Sequence, residues 1–123
     1  RVGNIPDVSV KLDQRFIGTV LLELIKNASE FSEREAPIFI EASVKGAFLQ
    51  LSVRDEGHGI PKDDISRLFH EFTRASNAAR MHPDGTGLGL YICKGIVERA
   101  GGTITLTSEE WKGTTVTFTV PLA

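Results

Sequence analysis

Phe48-Leu49-Gln50-Leu51-Ser52-Val53-Arg54-Asp55 runs directly into Glu56-Gly57-His58-Gly59-Ile60-Pro61. Alternation in the first half places Leu49, Leu51, Val53 and Asp55 on one face of a strand, so a carboxylate ends an otherwise apolar row. The second half, rich in glycine and closed by proline, breaks the strand and reads as a loop. A carboxylate on the core side must find partners, because burying a polar group unpaired costs roughly 2 kcal/mol or more. Two arrangements meet that need. Asp55 can join an internal salt bridge or cap the turn formed by the glycines after it. Alternatively it can be an acceptor at the bottom of a pocket, where the exocyclic amine of an adenine would satisfy it and a carbonyl in the same place would be rejected.

Upstream, Ile38, Ile40, Ala42 and Val44 alternate with Phe39, Glu41 and Ser43 as in a half-buried strand, joined to the first by a turn at Lys45-Gly46. A helix from about Gln14 to Ser32, capped by Asp13, puts Ile17, Val20, Leu21, Leu24, Ala28 and Phe31 on one face. Glu23, Asn27 and Glu30 form a polar stripe at the border of that face, and Val8 to Leu12 reads as a short strand. Downstream, Asp63 or Asp64 caps a short helix carrying Ile65, Leu68 and Phe69. Thr73 to Asp84 has little periodicity and reads as a mobile loop of about a dozen residues, long enough to point to function. Gly85-Thr86-Gly87-Leu88-Gly89-Leu90 opens a helix with Leu88, Ile92, Ile96 and Val97 inward, closed by Gly101-Gly102. Strands Thr103 to Ser108 and Thr114 to Val120 follow, with Ile104, Leu106, Val116, Phe118 and Val120 inward and Glu109 to Gly113 between them. About three helices and about five strands, with paired strands not separated by crossover helices, predict an α+β two-layer sandwich. One layer is a mixed, mostly antiparallel sheet, covered on one face by the helices.

The chain of 123 residues, 41% apolar and 24% charged, has the length and composition of one soluble globular domain spanning 1–123. A net charge of −2 creates no general field toward nucleic acid or an anionic membrane, so a phosphate ligand would need a local site. The single cysteine, Cys93, sits in an apolar helical pattern and reads as a small buried thiol, consistent with a reducing, cytoplasmic compartment. No apolar run reaches the roughly 18 residues of a spanning helix. A chain opening on Arg1, with no initiator Met and no targeting signal, reads as part of a longer protein.

Twelve glycines fall mostly in a few short stretches, where backbone can approach a ligand closely. Gly85, Gly87 and Gly89 stand at a helix start, whose free N–H groups and dipole favour phosphate. The string is unlike the dinucleotide fingerprint, because a loop and not a strand precedes it. Glu23 and Asn27, four apart, are neighbours on the helix surface. A carboxylate and an amide oxygen are hard ligands suited to magnesium shared with substrate phosphates; a solvated helix edge is the bland reading of the same pair.

Five strings occur in order: Glu23-Leu24-Ile25-Lys26-Asn27-Ala28, Asp55-Glu56-Gly57-His58-Gly59-Ile60, Leu68-Phe69-His70-Glu71-Phe72-Thr73-Arg74, Gly85-Thr86-Gly87-Leu88-Gly89-Leu90 and Gly113-Thr114-Thr115. They resemble the N, G1, F and G2 boxes and the final glycine–threonine box of the catalytic ATP-binding domain of sensor histidine kinases, with its Bergerat-type fold, over about Val8 to Leu122. The resemblance implies that Asp55 holds the adenine amine, with Gly57, Gly59 and Ile60 around the base and Thr114 on the adenine side. It implies Asn27 as the magnesium ligand, with Glu23 as a further candidate, and Phe31 as the ring beside the nucleoside. Arg74 matches an arginine that can reach phosphate. Gly85, Thr86, Gly87, Leu88 and Gly89 match the end of an ATP lid at about 74–84. Implied partners are ATP and ADP, a separate dimerisation and phosphoacceptor domain, and a response regulator. The parent would be a homodimer, anchored in a membrane or not, and this fragment a monomer without nucleic-acid or membrane contact.

The chain also departs from the family pattern. Glu30 stands where a basic residue is common, Glu23 where many members have Asn, and His70-Glu71 where Glu-Pro is common. None of His58, His70 and His82 lies on a helix resembling the phosphoacceptor hairpin, so this fragment is expected to bind ATP without phosphorylating itself. Three other readings stay open at this level. They are a serine/threonine kinase of the anti-sigma type, an ATP hydrolase with Glu23 as base, and a nucleotide-binding interaction module without transfer activity.

Overall fold

The computed structural model describes residues 14–31, 36–60, 62 and 89–123; of Gln14, Glu30 and Phe31 the backbone alone is described. Helix α1 spans Gln14–Phe31, strand β1 Ile38–Lys45, β2 Phe48–Asp55, helix α2 Gly89–Arg99, β3 Ile104–Glu109 and β4 Gly113–Pro121. The strands form one sheet in the order β1-β2-β4-β3, with every neighbouring pair antiparallel. Both helices pack on the same apolar cluster as one face of the sheet. This is the two-layer α+β architecture expected, with four strands and two helices among the described residues. The expected strand at 8–12, the Asp13 cap and the short helix after Asp63 lie outside them.

Each element follows from its local sequence. Val20, Leu24 and Ala28 repeat every four residues, so α1 buries one stripe, while Leu21 and Ile25 flank it half-buried. Strict alternation along β2 and β4 buries Leu49, Leu51, Val53 and Val116, Phe118, Val120 in register, Leu51 opposite Phe118 and Val53 opposite Val116. Residues on the other face pair across strands as well: Ser52 and Thr117 hydroxyls lie 3.2 Å apart, and the Arg54 guanidinium stacks 4.1 Å from the Phe39 ring centroid. The β1–β2 hairpin turns through Gly46, with φ +59°, and Ala47, a two-residue loop that needs positive φ at its first position.

Helix α2 ends in a Schellman motif: Gly102 N–H donates to Val97 O at 3.0 Å and Gly101 N–H to Glu98 O at 3.0 Å, with Gly101 at φ +89°. A Cβ on Gly102 would lie 1.8 Å from Thr119 O, so the glycine pair both stops the helix and lets it abut β4. One expectation for α2 needs correction. Ile92, read as inward, is 42% exposed, and the buried stripe is Leu90, Cys93 and Val97 with Ile96 beside it. The sequence offers two apolar stripes on this helix, and packing against α1 and the sheet selects the one containing the small thiol.

Candidate functional site

The buried face of the central strand pair changes character at its end. Beyond Val53 and Val116 the next registered pair is Asp55 and Thr114, 4% and 5% exposed, and these are the buried polar side chains among the described residues. Ser108 stands opposite Thr114 on β3, so Asp55, Thr114 and Ser108 form one polar row across three strands. Asp55 Oδ1 accepts the Gly57 N–H at 2.9 Å, which tethers the loop at its first glycine. The Ser108 hydroxyl accepts the Ile60 N–H at 2.8 Å, donates to Gly113 O at 2.8 Å and lies 2.8 Å from Thr114 Oγ1. Ile60 itself is fully buried.

Two glycines make this meeting of loop and hairpin possible. Gly59 has φ +67°, and a Cβ there would lie 2.1 Å from Glu109 O; Gly113 has φ +130°, and a Cβ there would lie 2.3 Å from Asp55 O. The Cβ direction of Gly59 is thus filled by the β3–β4 turn. Trp111 N–H donates to His58 O, and the two rings meet edge to face with centroids 5.9 Å apart, closing the loop over the turn.

The second group of residues lies on α1. Glu23 and Asn27 are one turn apart at the border of its buried stripe, half-buried as the polar stripe predicts. Glu23 Oε1 is 3.8 Å from Lys26 Nζ, an ion pair with the lysine largely exposed. Asn27 Nδ2 is buried and without a hydrogen-bond partner among the described residues. Such a group costs roughly 1–3 kcal/mol, and an amide kept in that state fits a polar ligand beside it. Behind this stripe Cys93 is fully buried and donates to Val20 O at 3.8 Å. Burial first, and the Glu23 carboxylate second, push its thiol up to about 12.

The structure therefore brings together Asp55, Gly57, Gly59, Ile60 and Thr114, and separately pairs Glu23 with Asn27. Gly89 opens α2; Arg74, Gly85, Thr86, Gly87 and Leu88, with the expected lid at 74–84, lie outside the described residues, as does the Phe31 side chain. Ser108 was missed by the motif reading, yet its parity with the inward Ile104 and Leu106 marks it. A depression of about 370 Å³ lies over this end of the sheet, but Arg54, Thr107 and Thr115 of the opposite face help to line it. A larger one, about 460 Å³, follows the outer side of α2 past Tyr91 and Ile92 and shares no residue with either group. Among the described residues no three His, Cys, Asp or Glu side chains could together hold a metal ion, and no helix is long and apolar enough to cross a membrane.

Residues 12–123 match the family model described as histidine kinase-, DNA gyrase B- and HSP90-like ATPase. The sensor histidine kinase WalK of Bacillus subtilis is 41% identical over 124 residues, covering 98% of this chain and 20% of that protein. The sensor histidine kinase YkoH of the same organism is 42% identical over 109 residues, covering 89% of this chain and 24% of that protein. Among solved structures, a nucleotide-free catalytic domain of histidine kinase ThkA superposes with a TM-score of 0.79 at 30% identity, covering 98% of this chain and 74% of that one. Full-length ShkA in complex with AMPPNP superposes with a TM-score of 0.80 at 28% identity, covering 97% of this chain and 24% of that one. The chain thus spans about a fifth to a quarter of these full-length kinases, and it belongs to the family of histidine kinase-, DNA gyrase B- and HSP90-like ATPases.

Proposed function

We propose that this chain is the ATP-binding catalytic domain of a cytoplasmic kinase module, in which the ATP γ-phosphoryl group passes to a histidine on a separate dimerisation domain and then to an aspartate of a response regulator. The observation that carries the reading is the buried Asp55–Thr114 pair closing the apolar face of β2 and β4. A carboxylate there is satisfied by a donor, and the exocyclic amine of adenine is such a donor at the end of an apolar slot. The similarity to sensor histidine kinases and to a kinase solved with AMPPNP supports the nucleotide assignment.

Asp55 would accept from the adenine amine while its Oδ1 keeps the Gly57 N–H, with Thr114 and Ile60 bordering the base and Phe31 beside the nucleoside. The Asn27 Nδ2, without a partner among the described residues, is a donor and fits a phosphate oxygen, while the amide oxygen of the same side chain would hold the magnesium ion, with Glu23 the second candidate ligand. When bound there, magnesium would supply charge neutralisation to the phosphate oxygens. Arg74 and the N–H groups of Gly85, Thr86, Gly87, Leu88 and Gly89 would serve the phosphates, where a helix start favours anions. The domain contributes positioning and charge stabilisation, which is most of what phosphoryl transfer asks of a protein. An imidazole nitrogen of the partner domain attacks the γ-phosphorus, the bond to the bridging oxygen breaks, and ADP leaves. By itself the chain is expected to be monomeric, and the parent a homodimer.

The test combines calorimetry with a transfer assay. The chain should bind ADP with magnesium, and, mixed with a dimeric helical domain carrying an acceptor histidine, should transfer label from γ-labelled ATP to an acid-labile, base-stable phosphohistidine. Binding without any transfer in that mixture would overturn the kinase assignment, and absence of adenine-nucleotide binding would overturn the whole reading.

A further inference from the structure

Ser108 belongs to none of the five sequence boxes, yet it is the junction through which the loop, the hairpin and Thr114 are joined. Its hydroxyl has one proton and two lone pairs. Gly113 O is a carbonyl and can only accept, so the bond of 2.8 Å to it uses the proton. Ile60 N–H can only donate, so its bond of 2.8 Å takes one lone pair. The remaining neighbour at 2.8 Å, Thr114 Oγ1, must then be the donor in their shared bond. Thr114 is buried, and with its proton turned toward Ser108 it offers lone pairs alone to anything else beside it. Asp55, its registered neighbour, is likewise an acceptor as a carboxylate.

We infer that Ser108 is a positioning residue for base selection: by holding the Thr114 proton it leaves acceptors alone facing the 6 position of a bound purine, where a 6-amino group donates and a 6-oxo group cannot. The inference rests on the adenine-site reading above. Ser108 acts through Thr114 and need not touch the base. Without it the Thr114 hydroxyl is free to rotate and donate to a carbonyl at the 6 position. The same serine also ties Ile60 and Gly113, so selectivity and local structure share one side chain.

The probe is the pair ADP and IDP, which differ at the 6 position and in protonation of the neighbouring ring nitrogen. Calorimetry on the whole chain with magnesium should give a wild-type preference for ADP. Ser108→Ala should shrink that preference about tenfold, the scale of one reversed hydrogen bond, and Ser108→Thr, which keeps the hydroxyl, should restore it. Thr114→Val preserves both backbone bonds of Ser108 and should also shrink the preference, which covers the case of a Ser108→Ala chain that fails to fold. If Asp55→Asn abolishes ADP binding while Ser108→Ala or Thr114→Val weakens ADP and IDP in equal proportion, Ser108 is only a structural bridge and this inference falls with the adenine site intact. If Asp55→Asn leaves ADP affinity unchanged, the adenine-site reading fails and takes this inference with it.

Discussion

Replacing Asp55 by Asn changes one atom of a side chain that is 4% exposed and tethered by the Gly57 N–H at 2.9 Å. The amide oxygen can retain that tether, so the loop and the β2–β4 register should persist. The other carboxylate oxygen becomes an NH2 group, which turns a donor toward the adenine amine. Two losses follow: a hydrogen bond to a charged acceptor, about 1.5–3 kcal/mol, and burial of unpaired donors, about 1–3 kcal/mol. Together they amount to about 2.5–6 kcal/mol, or roughly sixtyfold to twenty-thousandfold in ADP affinity at about 1.4 kcal/mol per tenfold. Titration calorimetry with ADP and magnesium measures the affinity, and a thermal melt of the unliganded chain measures the fold. Near-normal melting with lost binding is the expected pair of results. An ADP affinity within threefold of wild type would refute the placement of the base at Asp55.

Three further outcomes can be checked with equally simple means. Gly59→Ala forces a Cβ to within 2.1 Å of Glu109 O at φ +67°, whereas Gly46→Ala, at φ +59°, meets open space; denaturant unfolding should show the second losing about 1–2 kcal/mol and the first distinctly more, and equal losses would contradict the loop–hairpin packing. Asn27→Leu removes the buried N–H that has no partner among the described residues, so the unliganded chain should melt at the same or a slightly higher temperature, while the gain in ADP affinity on adding magnesium disappears; a retained magnesium dependence would exclude Asn27 as a ligand. For Cys93 the folded value of about 12 lies above the ordinary 9.0, so the unfolded chain loses its proton first. Its contribution is intact below pH 9 and is lost as pH rises toward 12, at about 1.4 kcal/mol per unit; the stability difference between wild type and Cys93→Ala should shrink over that window, and a constant difference would contradict the burial.

How much could be read in advance depended on how directly a pattern constrains geometry. β2 was expected and found at Phe48–Asp55, because alternation leaves a strand only one way to bury its apolar row. The inward position of Thr114 followed from the same parity and is met by its burial. Helix α2 had no such uniqueness: Ile92 and Cys93 begin competing stripes, and only the surface presented by α1 and the sheet decides between them. Ser108 was legible by parity but carried no motif, and the role of Gly59 was not legible at all. Nothing local to Gly59 announces that the carbonyl of Glu109, fifty residues on, will occupy its missing side chain.

Local patterns by themselves determined the strands, the apolar stripe of α1, the glycine stop of α2 and the placing of a carboxylate at the end of an apolar row, since each depends on neighbours within a few residues of sequence. The tertiary structure alone decided which stripe of α2 is buried, that Asp55, Thr114 and Ser108 line up across three strands, and that Asn27 keeps a buried N–H without a partner among the described residues. Those facts depend on antiparallel register and on helix packing, which join residues far apart in the chain, and the direction of each hydroxyl proton follows only once all its neighbours are in place.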